Sequence, residues 1–174
     1  MSSAALPAAS TARLFVGLWP DDAVRDAVCA HSGRWGWVPG ARPVPRSKLH
    51  MTLHFLGAVP RERIADLITG LAVPFLPFAM QLDRTDVWPN QVAVLQPRVL
   101  PGALLGLHAR LQQALVQLQQ PTAHDQLLPH VTLARKAKGS RQPADVQPIT
   151  WRIEGYALIE SMAGSVYKPL VHYP

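Results

Sequence analysis

Two short strings in this 174-residue chain hold side chains that could act together, His50-Met51-Thr52-Leu53 and His130-Val131-Thr132-Leu133. With seven His, seven Thr and 23 Leu available, the pattern H-x-T-L would arise by chance on the order of 0.04 times, so its second copy marks a repeat. Side chains alternate along a strand. His50, Thr52 and His54 should therefore share one face, with Met51, Leu53 and Phe55 turned to the core. The second string repeats the arrangement, with His130 and Thr132 on one side and Val131 and Leu133 on the other. If two similar lobes bring these faces together, two imidazoles with ordinary pKa values near 6.5 can divide the base and acid roles at neutral pH. Threonine hydroxyls can donate to nonbridging phosphoryl oxygens, and a neighbouring arginine can offset charge. Such a set suits cleavage of a phosphodiester. A metal site would call for further ligands and supporting carboxylates. Neither string has an Asp or Glu within four residues, so no metal and no cofactor is expected. His31, His108, His124 and His172 lack this context and read as structural.

Charge points to the same two places. Segment 42–48 holds Arg42, Arg46 and Lys48, and segment 135–141 holds Arg135, Lys136, Lys138 and Arg141, neither with an acid. These seven account for more than the net charge of +6, since the rest of the chain carries ten basic residues against eleven acidic ones. Local positive fields of this kind attract phosphates.

The elements that must position these groups can be read from pattern and punctuation. RLFVGL (13–18) reads as a buried strand stopped by Trp19-Pro20, followed by a helix from Asp21 and Asp22 to about Ser32. Residues 49–56 read as a strand closed by Gly57, and 60–72 as a helix ended by prolines. Segments 78–87 and 91–96 form an expected hairpin about Trp88-Pro89-Asn90. Residues 102–119 are the best helix, with leucines repeating every three or four positions. Strands are expected over 128–135, 150–160 and 165–172, with a basic loop over 136–148. The class is α+β with mostly antiparallel pairing. The 80-residue interval between the two histidine strands suggests two related lobes in one domain spanning 13–174, after a loose tail over 1–12.

Size and composition limit the rest. A chain of 19.1 kDa with 48% hydrophobic residues can build one core, and no apolar run is long enough to span a bilayer. The first residues do not resemble a signal peptide, and a single cysteine, Cys29, fits a reducing cytoplasm. No membrane and no obligate protein partner is expected, and the chain is read as a monomer.

At these residues the sequence resembles the two-histidine (2H) phosphoesterases, specifically the RNA 2′,3′-cyclic phosphodiesterase or LigT-like 2′-5′ RNA ligase family. The matching pieces are RLFVGLWP (13–20), LHMTLHFLG (49–57), LPHVTLAR (128–135) and a reduced tail motif in IESMAGSVYKPL (159–170). The resemblance implies a bilobal fold with a pseudo-two-fold axis and a central basic cleft. It implies hydrolysis of a terminal 2′,3′-cyclic phosphate, on RNA or a nucleotide, to a 2′-phosphate without metal. His50 would protonate the leaving 3′ oxygen, His130 would activate water, and Thr52, Thr132 and Arg135 would bind the phosphate. Strict alternation puts Arg135 on the core face, so the strand must end, twist or bulge there. The family also has an aromatic near the site at the position of Phe55, which alternation assigns to the core. The alternatives are 2′-5′ ligation on tRNA halves, hydrolysis of a small cyclic nucleotide, and RNA binding without turnover.

Overall fold

Asp21 starts the first helix as its residue type suggests: its Oδ1 accepts the Val24 amide at 2.8 Å, satisfying a donor that the helix leaves free. Helix α1 (Asp22–Gly33) then buries Val24, Arg25, Val28 and His31 along one face. The computed structural model describes residues 10–123 and 126–174. Residues 1–9 of the expected tail, and His124, lie outside this range. Strand β1 (Thr11–Leu18) precedes α1 and starts two residues before the apolar run. After α1 come β2 (Arg42–Pro43), β3 (Met51–Pro60), α2 (Ile64–Gly70), β4 (Phe78–Leu82), β5 (Arg84–Val87) and β6 (Ala93–Gln96). The chain ends with α3 (Gly102–Gln117), β7 (Val131–Arg135), β8 (Ile149–Ile153), β9 (Tyr156–Met162) and β10 (Val166–Tyr173).

The main sheet runs β10-β9-β1-β3-β7-β6-β5, with β2 added on β7, and every pairing is antiparallel. Its two halves meet at β3 and β7 through one register pair, Met51 opposite Val131. These are the second residues of the two histidine strings, each next to its histidine. An antiparallel pair has a local two-fold axis, so this register places the repeats about that axis and accounts for the bilobal shape.

One face of the sheet is the core. Leu14, Val16, Leu18, Met51 and Leu53 pack there with Val24 and Val28 of α1, Leu67 of α2 and Leu104, Leu107 and Leu111 of α3. The other face carries a small separate cluster of Phe15, Ala157 and Ile159, with Trp19, Phe55 and Tyr167 against it. The alternation of Leu14, Phe15 and Val16 between the two clusters is the pleat of β1.

Three expectations about the elements need correction. The strand over 49–56 does not close at Gly57. That residue takes φ 73°, which glycine adopts without strain, and β3 continues to Pro60. Segment 78–87 is two strands broken at Asp83, whose carboxylate accepts the Arg98 amide at 2.9 Å. β5 makes the expected hairpin with β6, whereas β4 leaves to pair with β8 in a separate two-stranded sheet. Segment 150–160 is likewise divided, at Glu154-Gly155, into β8 and β9. A Cβ on Gly155 would lie 2.2 Å from the Tyr173 carbonyl oxygen, so the final strand closes against a position only glycine can fill.

Candidate active site

Both histidines lie just ahead of their strands and make the same local bond. Nδ1 of His50 is 2.6 Å from the Lys48 carbonyl, and Nδ1 of His130 is 2.6 Å from the Leu128 carbonyl, two residues back in each case. A carbonyl only accepts, so each Nδ1 carries the proton. In the neutral ring Nε2 is then left with a lone pair, the tautomer needed to take or return a proton there.

The backbone after each motif is also repeated. β3 and β1 shift register between Val16–His54 and Gly17–Thr52, which leaves Leu53 as the extra residue of a β-bulge. β7 and β6 shift between Ala93–Ala134 and Val94–Thr132, leaving Leu133 as the extra residue. A bulge turns two successive side chains to one face, so the pattern changes phase after the leucine. Leu53 and His54 are both buried on the core side, and Leu133 and Ala134 do the same in the second strand. The residue that follows, Phe55 or Arg135, returns to the cleft. Arg135 therefore reaches the cleft by the bulge that its motif required.

Two readings based on alternation are overturned by this phase change. Phe55 is not core but lines the cleft, with the Arg13 guanidinium 4.8 Å from its ring centroid. His54 does not line it. It is buried, stacks on His108 of α3 at 4.1 Å, and has Nε2 3.1 Å from the His108 carbonyl.

The cleft has a volume of about 640 Å³ and is lined by His50, Thr52, His130, Thr132 and Arg135, with Arg13, Phe15, Phe55, Tyr167 and residues 161–164. All five residues singled out for the site thus meet in one hollow. A side recess of about 390 Å³ extends past His130 between Trp88, Asn90 and Leu128. Another hollow, about 500 Å³, lies between α1 and the start of β8 with a largely apolar lining. Its two ionisable groups are engaged, His31 accepting from Trp35 Nε1 and Arg34 paired with Asp145, so it lacks groups to act on a phosphate. Among the described residues no three His, Cys, Asp or Glu side chains cluster as a metal site would require.

Ring contacts make the two histidines unlike. His50 has Phe15 at 4.8 Å, Tyr167 edge-on at 5.1 Å and Trp19 stacked at 6.2 Å. Burial pushes its pKa down to about 4; the Lys48 carbonyl opposes the shift, and the charges of His130, Arg25 and Arg135 add to it. His130 has Trp88 at 4.4 Å, and its pKa is also lowered, by burial and by Arg135.

Arg25 is a contributor that sequence reading missed. It is buried in α1, with Cζ 4.7 Å from the Trp19 ring centroid. Its Nε donates to the Pro20 carbonyl at 3.0 Å and one terminal NH₂ donates to the Arg46 carbonyl at 2.7 Å. It therefore ties the turn bearing Trp19 to the turn bearing Lys48, the two segments that hold the His50 ring. The available signal was an arginine on the largely apolar buried face of α1. Trp19 and Phe15 were visible only as hydrophobic strand or strand-end residues, and Tyr167 only as part of the reduced tail motif.

A model of the 2′-5′ RNA ligase superfamily matches residues 23–163. An RNA 2′,3′-cyclic phosphodiesterase of Thermus thermophilus is 33% identical over 176 residues, covering 91% of this chain and 87% of that protein. One from Archaeoglobus fulgidus is 30% identical over 141 residues, covering 77% and 78%. Among solved structures, E. coli LigT complexed with 3′-AMP superposes with a TM-score of 0.80 at 24% identity, covering 94% of this chain and 97% of that one. A Thermus thermophilus structure superposes at 0.73 with 29% identity, covering 92% and 96%.

Proposed function

The chain belongs to the 2′-5′ RNA ligase superfamily, and from that membership and the cleft we propose that it is an RNA 2′,3′-cyclic phosphodiesterase that opens a terminal cyclic phosphate to a 2′-phosphate. The observation that carries this reading is the pairing of two imidazoles, each held by Nδ1 on the carbonyl two residues back, in one cleft with Arg135. In the proposed reaction a water oxygen bonds to phosphorus, the bond from phosphorus to the 3′ oxygen breaks, and one proton crosses the site. His130 Nε2 takes the proton from the water, and protonated His50 Nε2 gives one to the 3′ oxygen.

With its pKa near 4, His50 is neutral in the free protein at neutral pH. An anionic phosphate close to the ring favours the charged form, so the acid takes up its proton together with the substrate. Thr52 and Thr132 supply hydroxyl donors to the nonbridging oxygens, and Arg135 opposes the charge that builds on them. No step of this scheme requires a metal.

The test is incubation, in EDTA, with 2′,3′-cyclic AMP and with an RNA ending in 2′,3′-cyclic phosphate, separating 2′- from 3′-phosphate products. A 2′-phosphate product that is absent in His50→Ala and His130→Ala supports the scheme. A 3′-phosphate product, or turnover only when metal is added, would overturn it. Joining of RNA ends in place of hydrolysis would assign the same groups to the reverse direction.

A further inference from the structure

We propose that the body of the RNA leaves the cleft over the rim formed by β2, β7 and the loop after β7, where Arg42, Lys136, Lys138 and Arg141 bind its phosphates. This inference rests on the cyclic phosphodiesterase reading and extends it from the reacting end to the rest of the substrate.

The two basic segments recognised in the sequence become neighbours in the fold. Arg42 is the register partner of Arg135 and Pro43 of Ala134, and the Val44 amide donates to the Leu133 carbonyl at 2.8 Å. Further out, Gly36 and Arg141 exchange both backbone hydrogen bonds at 2.9 Å, and the Val38 amide donates to Ser140 Oγ at 3.2 Å. Cations from distant parts of the chain thus lie on neighbouring segments, with Arg42 directly beside Arg135, which lines the cleft. Arg135 is the innermost of them.

Of the seven cations in these segments, Arg46 alone has a carboxylate partner among the described residues. Asp22 and Asp26 hold it against α1. Arg42, Lys136, Lys138 and Arg141 are exposed and have no ion pair there. The nearest acid along the outer loop, Asp145, is engaged by Arg34. Lys136 takes φ 55°, an uncommon conformation for a side chain other than glycine, asparagine or aspartate, and so turns the chain outward directly after Arg135. The opposite edge of the cleft is built from Ser161, Met162, Ala163, Gly164 and Tyr167, none of them cationic. Arg13, whose guanidinium lies over the Phe55 ring, is the other arginine of the cleft lining. A polyanion whose 3′ end lies between the two histidines therefore meets most of the unpaired positive charge on the β2–β7 side.

An RNA chain supplies the complementary pattern, one phosphate charge per nucleotide starting next to the cyclic end. Each single-strand phosphate neutralised by a lysine or arginine adds about −0.7 to the slope of log affinity against log salt. A cyclic mononucleotide has no such phosphates, so its turnover should not sense this rim.

The decisive comparison is wild type against the triple variant Lys136→Gln, Lys138→Gln, Arg141→Gln, with kcat/KM measured over a salt series on 2′,3′-cyclic AMP and on a short RNA with a 2′,3′-cyclic end. The variant should lose roughly tenfold on the RNA at low salt and keep its rate on cyclic AMP, and the steeper salt slope of the RNA should flatten. Equal losses on both substrates, or an unchanged preference for RNA, would overturn the rim. A second arm measures anisotropy of a fluorescent RNA ending in 2′-phosphate, which the enzyme does not consume. If wild type turned over neither substrate, the phosphodiesterase reading would fail, while equal binding by wild type and variant would sink the rim by itself.

Discussion

The two halves of the cleft share a backbone and differ in what surrounds it. Each contributes a histidine bonded to the carbonyl two residues back, a threonine two residues on, and a bulge at the following leucine. Each then returns its fifth residue beyond the histidine to the cleft, and there they part: one half offers the ring of Phe55, the other the charge of Arg135. The walls differ too. His50 is enclosed by Phe15, Trp19 and Tyr167, whereas His130 has Trp88 and an adjoining recess. In the proposed reaction the shared backbone supplies two equivalent proton-transfer positions, and the unlike neighbours let those positions take different tasks.

The largest effects should come from removing either histidine. His50→Ala and His130→Ala are each expected to lower kcat by roughly 10²–10⁴, the size of an acid–base contribution, with binding of a 2′-phosphate product largely kept. A cyclic substrate with sulfur in place of the 3′ oxygen makes a leaving group that needs no acid. It should restore His50→Ala and leave His130→Ala inactive, and the opposite pattern would exchange the two roles.

Next comes the position where the halves diverge. Arg135→Ala should cost about 10²–10³ in kcat, because a positioned donor to the developing charge is lost. Phe55→Ala, which removes a neutral wall, should cost much less, and equal losses would mean that the two positions are used alike.

A smaller loss is expected from Arg25→Met, which frees the Trp19 turn from the turn bearing Lys48 without touching the cleft. About tenfold in kcat, with a shifted His50 titration and an altered Trp19 environment, would mark a positioning role. A loss of thermal stability with unchanged kcat and titration would leave Arg25 only a structural one.

The subtlest comparison is pH. NMR titration should find the His50 ring protonating near pH 4 in the free protein, and added inorganic phosphate should raise that value. Between its ordinary 6.5 and about 4 the unfolded chain binds a proton that the folded chain does not, so stability should fall as pH is lowered through that window. His50→Gln should flatten this part of the stability profile. A wild-type profile already flat there would mean that the ring is not desolvated.

Much of the site was legible because local rules governed it. The repeated H-x-T-L strings, the two acid-free basic segments and the heptad-like leucines of α3 each follow from residue type and spacing. Expectation and structure part where two segments of the chain pass one another. His54 and Phe55 exchanged places because the bulge at Leu53 is a mismatch between β3 and β1, and one strand read alone has no register to mismatch. The split at Asp83 was hidden for a similar reason: β4 and β5 have continuous strand character but different partners. Arg25 was passed over because its acceptors, Pro20 and Arg46, come from turns on either side of α1.

By itself, then, the sequence determined which groups could act, the family they resemble, and where charge would gather, because periodicity, residue chemistry and charge are properties of neighbours along the chain. The tertiary structure decided which side chains face the cleft, how unlike the two histidines are, and that the two basic segments pair with each other. Each of these depends on strand register and on burial by residues distant in sequence, and those quantities exist only after the chain has packed against itself.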